Sequence, residues 1–225
     1  MKLSFLITVH NETTDLKKLL AQIENHIIVN ETDDEVVILD DSSDNPETQE
    51  ILKAAGENPF TKVVQHPLHG HFGEHKTYGS RQCSGDYIVQ LDADEYLADI
   101  LLLNLSALVE ANSAVELFRV PRVNIVRGLE EADAKRWGWR VIGFDAFPDL
   151  PIINWPDFQS RIYKNNENIR WTKALHEVII GANIATDLPL DVNLAIIHDK
   201  TIERQNAQNE FYNKNWSRAA NMGNG

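Results

Sequence analysis

Apolar residues follow two alternating rhythms over the first hundred positions. Leu3 to Val9 is a dense apolar run with β-branched residues, the pattern of a strand buried on both faces. Leu16, Leu19, Leu20, Ile23 and Ile27 then recur at helical spacing and predict a helix over 15–28, capped by Thr13 or Thr14. Glu35 to Asp40 is a second strand, built on the apolar Val36-Val37-Ile38-Leu39 and ending in acid at Asp40-Asp41. Pro46 suits the first turn of a helix running to Ala55. Residues 61–65 predict a third strand, 72–83 a third helix that includes Cys83, and 87–91 a fourth strand. This alternation predicts an α/β fold with a mostly parallel, Rossmann-like, doubly wound sheet flanked by helices. Ligands bind such sheets at the carboxyl ends of the strands. Thr8-Val9-His10, Asp40-Asp41 and Asp92-Ala93-Asp94 all fall there, so they predict one crevice.

The rhythm loosens after Glu95. Residues 100–111 are Leu-rich and helical, and 115–123 predict a strand in which Pro121 requires an edge or a bulge. Residues 126–139 are expected to form a long loop, a candidate lid, and 144–156 to be irregular. Short strands are predicted at 157–164, 169–171, 178–180 and 194–197, with a polar helix from Thr201 and a frayed end at 221–225. No repeat or low-complexity linker interrupts the chain. It reads as a single domain over 1–225, with a regular half (1–100), a second half (101–200), and a C-terminal helix and tail (201–225).

Composition narrows the partners. The 225 residues carry a net charge of -13, which excludes a nucleic-acid backbone as the expected partner. A small phosphorylated ligand needs only a local cation and stays open. One cysteine allows no internal disulfide, and no run is long and apolar enough for a membrane span. The expected location is cytoplasmic.

Asp92 and Asp94 are two residues apart, so in an extended segment they face the same way. Paired carboxylates repel unless a cation sits between them, and hard divalent ions such as Mn²⁺ or Mg²⁺ take oxygen ligands while leaving positions for phosphates. Taken alone, the pair fits a solvated acidic turn equally well.

Four blocks in order resemble the family-two glycosyltransferases of the GT-A fold, which move a sugar from a nucleotide-sugar to an acceptor. Thr8-Val9-His10-Asn11-Glu12 is similar to the first-strand block, with His10 where Tyr is usual. Leu39-Asp40-Asp41-Ser42-Ser43-Asp44 is similar to the block Val-Asp-Asp-Gly-Ser-Thr-Asp. Phe72 to Gly79 resembles the helix that normally carries Ala-Arg-Asn, with Lys76 in place of Arg. Gly85 to Glu95 matches Gly-Asp-Tyr-Ile-x-x-Leu-Asp-Ala-Asp-Glu almost throughout. The segment Trp155 to Val178 is similar to short members of the family from phages and large viruses.

The resemblance implies a nucleotide-diphosphate sugar donor (a UDP- or GDP-sugar), a hydroxyl acceptor on a glycan, protein or lipid, and Mn²⁺ or Mg²⁺ as cofactor. It implies a metal role for Asp94, with Asp92 facing ribose or metal. It places Asp41, ahead of Asp40, on the base, and Thr8, His10 and Glu12 around base and ribose. Glu12 at a helix start also complements the helix dipole. Lys76 would present a cation to the nucleotide. A late histidine, His176 or His198, would complete the metal shell. An inverting displacement needs a base opposite the leaving group; Glu177 and Asp157 are the candidates, with Glu177 slightly ahead. Trp137, Trp139 and Trp155 are candidates for the acceptor surface or the core, and Trp171 for sugar stacking. Two rivals remain. A nucleotidyltransferase of this fold would carry a Gly-rich phosphate loop after the first strand, where this chain has His10 to Thr14. A non-catalytic nucleotide-sugar-binding module would need no base.

Overall fold

A computed structural model describes residues 1–144 and 147–215. The expected tail at 221–225 lies outside them. In chain order the elements are β1 (Leu3–Val9), α1 (Thr14–Val29), β2 (Glu35–Asp40), α2 (Pro46–Ala55), β3 (Thr61–Gln65), α3 (Phe72–Ser80) and β4 (Tyr87–Asp92). There follow β5 (Glu95–Leu97), α4 (Asp99–Ala111), β6 (Leu117–Arg127), α5 (Glu131–Trp137), β7 (Val141–Phe144) and β8 (Phe147–Lys164). The chain continues through β9 (Arg170–Thr172), β10 (Val178–Ile180), β11 (Ala185–Asp187), β12 (Ile196–Thr201) and α6 (Ile202–Asn215).

The main sheet runs β3-β2-β1-β4-β8-β6-β12-β5, with β11 beside β6 and β7 beside β8. Its first four strands are parallel. Phe5, Leu6, Ile7, Val36, Val37, Ile38 and Leu39 are all fully buried, which accounts for the unbroken apolar runs. The helical stripe of α1 packs into the same core as Leu101, Leu102, Leu105 and Val109 of α4. Asn45 caps α2 by accepting from the N–H groups of Glu47 and Thr48. Thr13 precedes α1 but makes no side-chain cap. The third helix stops at Ser80, so Cys83 lies in the turn beyond it, where burial pushes its thiol up to about 12. Among the described residues no helix is long and apolar enough to cross a membrane.

The second half is more regular than its sequence suggests. The expected loop at 126–139 continues β6 to Arg127 and then forms α5. The expected irregular stretch at 144–156 contributes, where described, to β7 and to the 18-residue β8. Its prolines mislead for an identifiable reason. The β6–β8 register shifts between Arg122↔Asp157 and Asn124↔Ile153, so Pro156 falls in a bulge that needs no regular ladder bond. Pro121 lies inside an interior strand, not at an edge. It falls between the stretch of β6 paired with β11 (117–119) and the stretch paired with β12 (122–127).

A separate two-stranded sheet, β9-β10, crosses the start of α3. Gly73 permits that crossing, because a Cβ there would stand 2.6 Å from the carbonyl carbon of Thr172. The Thr77 hydroxyl locks it by donating to the Trp171 carbonyl and accepting from the Trp171 N–H, each at 3.0 Å.

Candidate active site

The parallel register brings the polar clusters together. Thr8 stands opposite Asp92 on one side and Leu39 on the other, and Val9 opposite Asp40. Asp40 is 5% exposed and caps its own turn, accepting from the Ser43 N–H at 3.0 Å. Asp41 faces the crevice instead. Its Oδ1 accepts from the Leu68 N–H at 2.7 Å, and its Oδ2 lies 3.6 Å from Nδ1 of the exposed His10. Glu12 accepts from the His10 N–H at 2.6 Å, and burial is the main cause of its raised pKa. Asn11, in the left-handed region at φ 68°, accepts through Oδ1 from the N–H groups of Asp44 and Asn45. It ties the loops after β1 and β2 together.

Asp92 and Asp94 have different surroundings. Asp92 Oδ1 accepts from Thr8 Oγ1 at 2.8 Å and Gln90 Nε2 at 3.0 Å, and lies 3.1 Å from Lys76 Nζ. Its Oδ2 accepts from Arg161 Nη2 at 2.8 Å. Burial raises the pKa of this carboxyl, but Lys76 and Arg161 outweigh it and hold the group well below the usual carboxylate range. Asp94 Oδ2 lies 3.2 Å from His198 Nε2 and 3.4 Å from Arg204 Nη2. Its Oδ1 has no hydrogen-bond partner among the described residues. Burial again opposes ionisation, and His198 and Arg204 hold the carboxyl low.

Beneath both lies an ionic floor. Glu95 is 1% exposed; its Oε1 accepts from Arg161 Nη2 at 2.8 Å and Arg122 Nη1 at 2.9 Å, and its Oε2 from the Asp92 N–H at 3.1 Å. Arg161 also donates to Gln90 Oε1 at 2.6 Å.

Across the crevice, Glu177 Oε1 accepts from the buried Lys76 Nζ at 2.5 Å. Lys76 thereby links Glu177 to Asp92. Burial raises the pKa of Glu177, Lys76 more than reverses this, and the carboxylate is ionised at neutral pH. Asp157 is more heavily engaged. Its Oδ2 accepts from Arg122 Nε at 3.1 Å, Arg122 Nη2 at 2.9 Å and Asn124 Nδ2 at 2.8 Å, and its Oδ1 from Gln159 Nε2 at 2.6 Å.

Of the two late histidines, His198 meets Asp94, while His176 is an exposed residue at φ 52° in the β9–β10 connection. Trp155 is 7% exposed and packs with Val123, Ile125, Ile152, Ala195 and Ile197. Trp171 is 4% exposed, with its Nε1 donating to the Tyr163 hydroxyl at 3.0 Å and Lys76 lying 5.0 Å from its ring centre. Both are core residues and not sugar platforms. Trp137 and Trp139 lie ring against ring, centres 4.6 Å apart, around the end of α5.

Among the described residues no three carboxylate, imidazole or thiolate groups gather as a closed metal site. The arrangement fits an ion that draws its remaining ligands from phosphate and water. His198 Nδ1 lies 3.1 Å from Asn124 Oδ1, an acceptor, so Nδ1 carries the proton. Without an ion, the 3.2 Å contact of Nε2 with Asp94 Oδ2 is a hydrogen bond when Nε2 is protonated as well; in the neutral ring that an ion requires, Nε2 would present its lone pair there. Two ligands on adjacent vertices of an octahedral ion with bonds of about 2.1 Å stand about 3 Å apart. A carboxylate and an imidazole nitrogen with that spacing and protonation suit a divalent cation.

Arg161, Arg122, Glu95, Asn124 and Arg204 have no assigned role in the sequence reading. The available signal is period-two polarity within apolar strands. Asp157, Gln159 and Arg161 alternate along β8, and Arg122 and Asn124 along β6, so each set faces one side.

The model of glycosyl transferase family 2 matches residues 4–180. Undecaprenyl-phosphate 4-deoxy-4-formamido-L-arabinose transferase of Pseudomonas fluorescens (strain Pf-5) is 37% identical over 93 residues, 40% of this chain and 27% of that protein. The protein of the same name from Pseudomonas savastanoi pv. phaseolicola is 32% identical over 151 residues, 62% of this chain and 40% of that protein. The chain thus spans between 27% and 40% of the length of these two relatives. The crystal structure of S. aureus TarS 1–349 in complex with UDP-GlcNAc superposes with a TM-score of 0.58 at 17% identity, covering 89% of this chain and 59% of that one. That likeness is one of fold.

Proposed function

The chain belongs to glycosyltransferase family 2, with its GT-A fold, and from that premise we propose a metal-dependent, inverting transfer of a sugar from a UDP- or GDP-sugar to an acceptor hydroxyl. Family membership sets aside the nucleotidyl-transfer alternative. The contrast between the pinned Asp92 and the open Asp94 is what carries the proposal.

In this reading the base and ribose lie over the ends of β1 and β2. Asp41 accepts from the base, and Thr8, His10 and Glu12 close the pocket around it. Asp92, fixed by Thr8, Gln90 and Arg161, offers its exposed edge to the ribose. Asp94 and His198 hold Mn²⁺ or Mg²⁺ beside the diphosphate. When bound, such an ion offsets the charge that builds on the leaving phosphate oxygen. Lys76 lies between Asp92 and Glu177 and supplies a fixed positive charge to both.

Glu177 is the proposed base. As the acceptor oxygen bonds to the anomeric carbon and the bond to diphosphate breaks, the hydroxyl proton passes to Glu177. Its described hydrogen bonds come from Lys76 and from its own backbone N–H, so lone pairs remain to accept. Asp157 carries four donors, three of them on Oδ2. His176 stays a lesser metal candidate, because it lies on the connection that carries Glu177 and is exposed. A second acceptor reading, transfer to a polyprenyl phosphate, is favoured by the names of the curated relatives.

The test is a panel of UDP- and GDP-sugars incubated with the protein and Mn²⁺, with and without chelator, reading released nucleoside diphosphate. One donor should turn over and lose turnover with chelator; a wholly silent panel without Mn²⁺-dependent thermal stabilisation by UDP or GDP would sink the proposal. Glu177→Gln should cost about 10²–10⁴-fold in transfer while nucleotide binding persists. Product anomers read by NMR decide inversion.

A further inference from the structure

We propose that Asp157 is a positioning residue that fixes, through Asn124, the tautomer in which His198 faces Asp94. The inference rests on the metal reading of Asp94 and His198 above.

Of the four donors on Asp157, three converge on Oδ2 and one, from Gln159, falls on Oδ1. Oδ2, the oxygen that holds Asn124, is thereby saturated. Two of the donors belong to Arg122, which keeps its charge at any working pH and is held in turn by Glu95. Asp157 is therefore locked on its inner side.

The lock has a directional output. A carboxylate only accepts, so the Asn124 group facing Asp157 must be its NH₂. The amide carbonyl is thereby turned to His198 Nδ1 at 3.1 Å, and a carbonyl only accepts, so Nδ1 must be N–H. Turning the amide over would set oxygen against carboxylate on one side and N–H against N–H on the other. The chain of constraints ends with the Nε2 lone pair toward Asp94.

The backbone is shaped for this arrangement. Asn124 and His198 are direct partners in the β6–β12 register. The β6–β8 bulge sets Asp157 opposite Arg122 while Ile153 pairs with Asn124, so one carboxylate reaches two side chains two residues apart on β6. A regular ladder would place a different residue opposite Asn124. Bulges recur next to active sites, where they re-aim side chains. Partners that orient a metal-bound histidine in this way typically contribute about 10–100-fold to metal affinity.

The experiment uses the full chain with UDP, Mn²⁺ titrated by EPR of the free ion, and ¹⁵N chemical shifts of the His198 ring without metal. Asn124→Leu leaves Asp157 in place. It should weaken Mn²⁺ binding about 10–100-fold and shift His198 toward the Nε2–H form. Asp157→Ala should do the same, and the double variant should be no worse than either single one. Asp157→Asn can still accept from Arg122 and Asn124 through its amide oxygen. It should lower turnover less than tenfold, with saturating Mn²⁺ recovering the loss. If Asp157→Asn instead abolishes turnover at every Mn²⁺ concentration, Asp157 is the base and the inference is wrong. It is equally wrong if Asn124→Leu leaves both Mn²⁺ affinity and the His198 shifts as in the parent. Should Asp157→Ala fail to fold, the Asn124→Leu and Asp157→Asn arms still decide. Absence of Mn²⁺ binding by the parent protein would overturn the metal reading, and the metal-free ¹⁵N shifts would still report on the relay.

Discussion

Asp92 and Asp94 stand two residues apart, yet their surroundings are built from different parts of the chain. The partners of Asp92 come from the regular interior: Thr8 on β1, Gln90 on β4, Arg161 on β8, and Lys76 within α3. The partners of Asp94 come from the end of the chain, His198 on β12 and Arg204 on α6, at 3.2 and 3.4 Å. Side-chain exposure separates them further, at 3% and 4% for Lys76 and Arg161 against 35% for Arg204. One carboxylate is a fixed part of the sheet edge, and the other keeps coordination capacity. The sequence spacing of the two aspartates makes them look equivalent, and their neighbours make them different.

The sharpest way to break this contrast is Asp94→Ala. It should cost on the order of 10³-fold in Mn²⁺-dependent turnover while leaving thermal stability close to the parent. A large fall in melting temperature would place Asp94 with Asp92 as a structural group. Next is Arg161→Leu, which strips a buried cation from both Asp92 and Glu95. It should destabilise by about 3–5 kcal/mol in urea unfolding, and a cost under about 1 kcal/mol would show that the floor is not what fixes Asp92. Thr8→Val removes one neutral donor to Asp92 and should cost about 1.5–3 kcal/mol, near the value for a hydrogen bond to a charged group. The same change should leave Mn²⁺ affinity untouched.

The mildest effect concerns pH. Burial raises the pKa of Glu35, but Ser4, the Ser84 N–H and Lys2 together bring it to about 2 from an ordinary 4.5. A depressed carboxylate stabilises the fold above its unfolded pKa and loses that contribution as pH falls through the folded one. Glu35, Asp92 and Asp94 all shift this way, so the stability that these three carboxylates contribute should be level near neutrality and decline below about 4.5 toward about 2. Glu35→Gln should flatten that decline in acid titrations followed by circular dichroism. An unchanged acid limb would remove Glu35 from the account.

The first hundred residues could be read directly because burial on both faces leaves β1 and β2 continuously apolar, and both have the expected bounds, as does the largely exposed edge strand β3. The same physics sets Thr8, Asp41 and Asp92 at strand ends. The second half resisted for two reasons. Proline suggested an edge or a bulge at Pro121 and irregularity around Pro156, where a change of neighbouring strand and a bulge accommodate it. The ionic floor joins residues far apart in sequence, Arg161 to Gln90 and Asp92 and Arg122 to Glu95. No local pattern reports such pairings. The alternating polar positions of β6 and β8 mark which residues face the site and do not reveal their partners. Trp171 illustrates the converse: an aromatic of the type that stacks on sugars proves to be a buried support for Lys76.

The β9–β10 hairpin stands apart from the main sheet, and its loop carbonyls at Lys173 and Ala174 accept from the first N–H groups of α3, Gly73 and Phe72. It is thus plugged into the amino end of the helix that carries Lys76, and it brings Glu177 with it. In the proposed mechanism, donor grip and proton acceptance would be housed in separable parts joined by a small backbone socket. Exchanging the hairpin while keeping Gly73 and Thr77 offers a route to new acceptors without rebuilding the nucleotide side.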